Sequence, residues 1–249
     1  MSTAVMTERI PEASPRLTAR AAGFFWLMTF LGGIFALSSG GLVVSGNAAA
    51  TAANILAHES LFRAGVVANL TAAVCYIAAT LFVYYLLKPV NGKLSLLAAF
   101  FSLTGCAGGT VTFALQSAPL VVLGGAQYLS VFTPEQLQAL ALASLRLADQ
   151  AFFIGHVFFG LHCLLVGYLI LGSKFLPRIV GALMVFAGLG WLTMSFANLL
   201  SPPLGRSLFP YVLLPGMLGE GSLTLWLLLV GVNVGRWKEQ AGRGGAIEI

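Results

Sequence analysis

Charged residues are scarce in this sequence, and their scarcity excludes most classes of soluble protein. Asp, Glu, Lys and Arg make up only 8% of the 249 residues, whereas a soluble domain contains about 25%. A chain of this composition cannot cover a water-soluble globule with charge. The formal net charge of +5 does not indicate a nucleic-acid partner, because the basic residues lie in short clusters between apolar runs, as they do in membrane proteins.

Motifs for metal, cofactor or nucleotide chemistry are also missing. The three cysteines, Cys75, Cys106 and Cys163, lie in apolar segments without CxxC spacing, so we expect neither a disulfide framework nor a zinc site. The chain contains no HExxH, GxSxG or Walker A motif, which are typical of zinc proteases, serine hydrolases and nucleotide-binding loops. The sequence therefore predicts no metal and no cofactor.

Alternation of apolar and polar residues over about ten positions, which is typical of an outer-membrane barrel strand, does not occur either. The sequence instead contains apolar runs of about 18 residues or more, long enough to cross a hydrocarbon core about 30 Å thick. Its mean hydropathy is +0.92. We therefore expect an all-α fold, a polytopic bundle of transmembrane helices in a lipid bilayer.

Six spans are predicted, joined by turn-rich connections and flanked by a tail at each end. The spans cover about residues 21–44, 60–87, 94–117, 150–171, 178–199 and 211–234. The tails are residues 1–20 and 235–249, and two outer interfacial segments lie near 47–59 and 134–149. In the second of these segments, Thr133 is expected to cap a helix, with Pro134 at the first helical position and Gln136 at the third.

Lys and Arg residues are distributed unequally between the two sides of this bundle. One side holds Arg9, Arg16, Arg20, Lys88, Lys93, Lys174, Arg178, Arg236, Lys238 and Arg243, and the other holds Arg63, Arg146 and Arg206. Because cytoplasmic loops carry an excess of Lys and Arg, this distribution predicts that both termini are cytoplasmic.

Six segments in order resemble the domain of unknown function 4386 family of bacterial integral membrane proteins. They are AAATAANILAHESLFRAGVVANL, LLKPVN, PEQLQALAL, FFGLHCLLVGYLI, LPRIVGAL and PGMLGE. The resemblance covers about residues 17–234 and implies six spans and a bacterial inner (plasma) membrane location, but it supplies no activity. Family positions are occupied by Arg63, His162, Pro177, Arg178 and Glu220. Asn69 departs from the pattern, because the family often has an acidic residue there.

Ionisable residues inside spans are costly and are therefore functional candidates. At 1.5 Å per residue, Glu220 lies about 14 Å from the outer end of span six. His156 and His162 lie about 9 Å and 18 Å deep in span four, on different helical faces. Glu220 lies between the two histidines in depth, so either is a possible partner, and we favour His162 because it occupies a family position.

Polar residues in the outer half of the bundle suggest a cavity that opens outward. Candidate ligand-binding residues are Glu220, His162, His156, Asn69, Arg63, Asp149 and Asn198. We expect a binding or transport bundle for a small polar or lipophilic molecule, including a lipid. The alternatives are an accessory or scaffold subunit of a membrane complex and an intramembrane enzyme that uses a His/Glu pair. Small residues at Gly105 and Gly109 indicate a close helix contact, either inside the bundle or with a second copy or a complex partner.

Overall fold

The computed structural model describes the backbone of residues 14–244 and the side chains of residues 14–242, and this part of the chain is helical and contains no β-strand. Its α-helices are α1 (Pro15–Gly40), α2 (Ala48–Ala57), α3 (Glu59–Leu87), α4 (Gly92–Val122), α5 (Pro134–Gly172), α6 (Arg178–Leu200), α7 (Pro202–Leu208), α8 (Leu214–Leu225) and α9 (Val234–Gly244). Six segments are long and apolar enough to cross a membrane: α1, α3, α4, α5, α6 and Tyr211–Val230, which includes α8. The predicted all-α fold with six spans is confirmed.

The fourth span is longer than we expected. Helix α5 is continuous over 39 residues, so the predicted interfacial segment 134–149 forms its first part. Its start is the predicted capping box: Thr133 Oγ1 accepts from the Gln136 N–H, and Gln136 Oε1 accepts from the Thr133 N–H. At 1.5 Å per residue, α5 is about 58 Å long, so almost half of it extends beyond a 30 Å hydrocarbon core.

Glycines bring the backbones of α5 and α6 into direct contact. A Cβ atom added at Gly188 would lie 2.7 Å from the carbonyl oxygen of Gly160. One added at Gly167 would lie 2.8 Å from the carbonyl oxygen of Gly181. Only residues without a side chain permit such an approach, which is a common basis of helix association in membranes. The small residues of the fourth and fifth spans therefore face each other.

Gly105 has its contact inside the chain. A Cβ atom at Gly105 would lie 3.0 Å from the ring of Phe159 on α5, and one at Gly108 would lie 3.1 Å from the backbone of Gly155. A Cβ atom at Gly109 would meet only Phe113 of its own helix, at 3.6 Å. Of the two contacts predicted for this motif, the structure shows the internal one at Gly105.

The last span has an irregular backbone on both sides of α8. A turn of 3-10 helix at Tyr211–Leu213 precedes α8, and a π-helical turn at Trp226–Val230 follows it. Residues 216–220, between these two turns, are regular α-helix. The π-helical turn packs tightly on α1, where a Cβ atom at Gly23 would lie 2.7 Å from the Leu228 nitrogen.

The C-terminal helix α9 lies across one end of the bundle, in the region that we predicted as a tail. Trp237 donates its indole N–H to the Leu86 carbonyl at the end of α3, at 3.0 Å. The Gln240 side chain accepts from the Lys174 N–H between α5 and α6, also at 3.0 Å. The remaining parts of the predicted tails, residues 1–13 and 245–249, lie outside the described residues.

Candidate functional site

The carboxylate of Glu220 lies inside the bundle and binds two tryptophan side chains. Only 6% of the residue is exposed. Trp26 donates its indole N–H to Oε2 at 3.0 Å, and Trp191 donates its indole N–H to Oε1 at 2.6 Å. Because these residues belong to α1, α6 and α8, the carboxylate connects three separate spans. Each oxygen of the Glu220 carboxylate therefore accepts one hydrogen bond from an indole.

Local sequence explains how the indoles reach this carboxylate. Gly216 lies one turn before Glu220, and a Cβ atom there would collide with the Trp191 ring. A Cβ atom at Gly219 would lie 2.6 Å from the Ala187 side chain on α6. The two glycines allow α8 to approach α6 until the indole fits beside it. Trp26 is only 1% exposed, on the buried face of α1.

The site lies near the middle of the bundle. Trp191 is 13 residues from the start of α6, which is about 20 Å along a helix about 35 Å long. Trp26 is 11 residues from the start of α1, about 17 Å along it. Since a hydrocarbon core is about 30 Å thick, the carboxylate lies far from both membrane surfaces.

Aromatic rings and a thiol surround the carboxylate. The Tyr76 ring on α3 lies 5.5 Å from Trp26 and 4.9 Å from Phe159, both edge to face. The phenol of Tyr76 and the thiol of Cys163 also interact with the Glu220 carboxylate. His162 packs against Tyr76 and Trp26, with ring centroids 6.0 and 6.3 Å away. We call Glu220, Trp26, Trp191, Tyr76, Cys163 and His162 the Glu220 cluster.

His162 belongs to this cluster, but its hydrogen bond goes elsewhere. Its Nδ1 lies 2.8 Å from the Ala98 carbonyl oxygen, which can only accept, so the imidazole donates from Nδ1. The Nε2 atom is buried and has no hydrogen-bond partner among the described residues. In a neutral imidazole with Nδ1 protonated, Nε2 is an acceptor. The predicted Glu220–His162 pair is therefore wrong, because the carboxylate binds the two indoles.

His156 lies beside the cluster. Its Nδ1 is 2.8 Å from the Phe152 carbonyl oxygen of the preceding helical turn. Its ring lies 3.8 Å from Phe152 and 5.2 Å from Trp191, between centroids. The same indole that donates to Glu220 thus contacts His156. The two histidines are on different faces of α5, as predicted, but both reach the surroundings of one carboxylate.

The other four predicted ligand-binding residues have contacts of their own. Arg63 pairs with Glu59 at 2.7 Å, and Arg146 pairs with Asp149 at 3.4 Å, both on exposed surface. The Asn69 amide donates to Gln116 on α4 at 3.2 Å, and the Asn198 amide donates to the Met194 carbonyl at 2.8 Å. The structure therefore brings together Glu220, His162 and His156 of the predicted set.

Cationic partners of Glu220 are absent from the described side chains. Within residues 14–242, no Lys or Arg forms an ion pair with this carboxylate. The same part of the chain contains no group of three or more His, Cys, Asp or Glu residues able to hold a metal ion. The donors at the site are neutral indole N–H groups, which cannot balance the charge of a carboxylate.

Our interpretation of the sequence overlooked Trp26 as a partner of Glu220. Trp191, Tyr76 and Cys163 were not among the predicted ligand-binding residues either. One signal was available for Trp26, since an indole N–H in the middle of an apolar span needs an acceptor that lipid cannot supply. Glu220 is a carboxylate acceptor at a similar depth.

The six apolar helices define a polytopic integral membrane protein with six spans, and the Glu220 cluster lies inside its bundle. The chain belongs to the domain of unknown function 4386 family (DUF4386), whose model matches residues 21–231. The predicted family membership is thereby confirmed over nearly the whole bundle. No curated protein and no solved structure matches the chain.

Proposed function

We propose that the protein binds or transports a small lipophilic molecule, which it holds beside Glu220. The observation that carries this proposal is a carboxylate at mid-depth that lies among aromatic rings and has no cationic partner within the described side chains. Binding sites for small molecules are mostly apolar and contain a few polar groups that orient the ligand. The Glu220 cluster combines these two properties near the middle of the bundle.

We place the entry to this site on the outer side, beside α8. A turn of 3-10 helix at Tyr211–Leu213 interrupts the regular helix at the predicted outer end of the last span, directly before α8. The outward-facing polar cavity belongs to this proposal, with Arg63, Asn69, Asp149 and Asn198 near its mouth. So do a bacterial inner membrane location, which the family resemblance implies, and cytoplasmic termini, which the distribution of basic residues predicts.

An accessory or scaffold role is the second candidate, and one observation favours it. The two indole hydrogen bonds join α1, α6 and α8 through one side chain, which is also what a purely structural tie would do. An enzyme has less support. The hydroxyls of Ser222 and Thr224 donate to carbonyls of their own helix, at 2.8 and 2.7 Å. The Nδ1 atoms of His156 and His162 are each engaged with a backbone carbonyl.

The proposal is tested by mass spectrometry of the small molecules that copurify with the protein. We expect wild type to retain a molecule that Glu220→Gln loses, because the amide keeps the shape of the side chain but not its charge. Glu135→Gln is the matched control, since Glu135 is exposed in the first turn of α5. Spectra that are identical for wild type and Glu220→Gln would contradict ligand binding at Glu220 and favour the scaffold role.

A further inference from the structure

We infer that the molecule held by the Glu220 cluster is a lipophilic organic cation, specifically a protonated amine. This inference rests on the proposed binding function and adds the chemical class of the ligand. Three features of the cluster carry it: the unbalanced charge of Glu220, the kind of polar atom that remains free, and the aromatic character of the neighbours.

The first feature is charge. The donors that contact the Glu220 oxygens are two indole N–H groups, one phenol and one thiol, and all of these groups are neutral when they donate. Isolated charges in a bilayer are costly, and they pair with other groups or face a cavity. Since no Lys or Arg among residues 14–242 pairs with Glu220, a cationic ligand supplies the charge that these side chains do not.

The second feature is that the free polar atom of the cluster is an acceptor. His162 Nε2 is buried without a partner in the described part of the chain, and with Nδ1 engaged on the Ala98 carbonyl it presents a lone pair. An alkylammonium group has up to three N–H donors, so one of them is able to donate to His162 Nε2. A neutral ether or ketone has no donor to offer this atom.

The third feature is the aromatic lining. Trp26, Trp191 and Tyr76 surround the carboxylate, and the faces of Trp and Tyr rings attract cations. Inorganic cations fit less well, because hard metal ions take six or more oxygen ligands. The described residues contain no group of three metal-ligating side chains. An organic ammonium ion matches both the single carboxylate and the apolar rings.

The experiment compares two probes that share one carbon skeleton, 4-phenylbutylamine and the neutral 4-phenylbutanol. Binding of each is measured by equilibrium dialysis against the full chain in zwitterionic nanodiscs, with empty nanodiscs subtracted. We expect the amine to bind wild type at least about 30-fold more tightly than the alcohol, the usual effect of a buried charge pair. Glu220→Gln should lose this preference, and the exposed control Glu135→Gln should keep it.

Each alternative outcome has a distinct meaning. Equal binding of amine and alcohol to wild type would overturn the cation inference while leaving a lipophilic ligand at this site. Binding of neither probe above empty nanodiscs would also overturn it, and the copurification experiment then decides the proposed function separately. If Glu220→Gln kept the preference for the amine, the cation would bind at another site, and the inference would be overturned. Because the comparison of the two probes uses wild type, it stands even if a variant fails to fold.

Discussion

Trp191 donates its indole N–H to Glu220 across the interface between α6 and α8, with 2.6 Å between nitrogen and oxygen. This hydrogen bond depends on Gly216, whose missing side chain makes room for the indole. It also links the site to His156, which packs on the same ring. One tryptophan therefore positions the carboxylate, contacts a histidine and holds two spans together.

The hydrogen bond from Trp191 should contribute measurably to stability. Trp191→Phe removes the N–H and leaves one oxygen of a buried carboxylate without its donor, which we expect to cost about 1–3 kcal/mol. The matched control is Trp226→Phe. Trp226 is also half-buried, but its indole nitrogen has no hydrogen-bond partner among the described residues, so its loss removes no bond. Thermal unfolding in detergent measures both variants, and equal losses would show that the Trp191 bond contributes nothing.

Gly216 should be less tolerant of a methyl group than its neighbour on the same helix. Gly216→Ala places a Cβ atom too close to the Trp191 ring, and overpacking of this kind costs about 1–3 kcal/mol. Gly221→Ala is the control, because a Cβ atom there meets nothing within 4 Å. We expect this control to be neutral or stabilising, as alanine is the better helix former by about 1 kcal/mol. The same stability for both variants would contradict the close fit of Trp191 beside α8.

Both termini should be found on the cytoplasmic side. The prediction rests on ten basic residues on one side of the bundle and three on the other. In a bacterial host, a fluorescent protein fused after residue 249 should fold and fluoresce, and alkaline phosphatase at the same position should be inactive. The converse result, an active phosphatase and a dark fluorescent protein, would reverse the orientation and place the proposed entry on the cytoplasmic side.

The spans were predictable because their signal is local. Each apolar run has the length that a bilayer requires, and the capping box at Thr133 and Gln136 lies within four consecutive residues. The small-residue faces of α5 and α6 also follow from helical periodicity. Periodicity, however, indicates only which face of a helix carries small or polar residues. It does not indicate which other helix that face contacts. The partner of Glu220 was therefore expected on α5, and the structure places its donors on α1 and α6.

The contacts of helix α9 were also not predictable from the sequence. Residues 235–249 are polar and charged, so by composition they form a tail. In the structure, Trp237 binds the Leu86 carbonyl and Gln240 binds the backbone of Lys174. These partners lie about 150 and 66 residues earlier in the chain. Contacts over such separations depend on how the spans pack, and no pattern within the tail itself indicates them.

Photoaffinity labelling tests most directly whether a small molecule binds at the Glu220 cluster. Diazirine derivatives of 4-phenylbutylamine and 4-phenylbutanol are activated on the protein in nanodiscs, and the modified residues are mapped by mass spectrometry. We expect at least one probe to label Trp26, Tyr76 or Trp191. An excess of the unlabelled compound should reduce this labelling. Labelling by both probes that is confined to exposed apolar residues such as Leu37 and Leu200 would contradict a ligand site at Glu220.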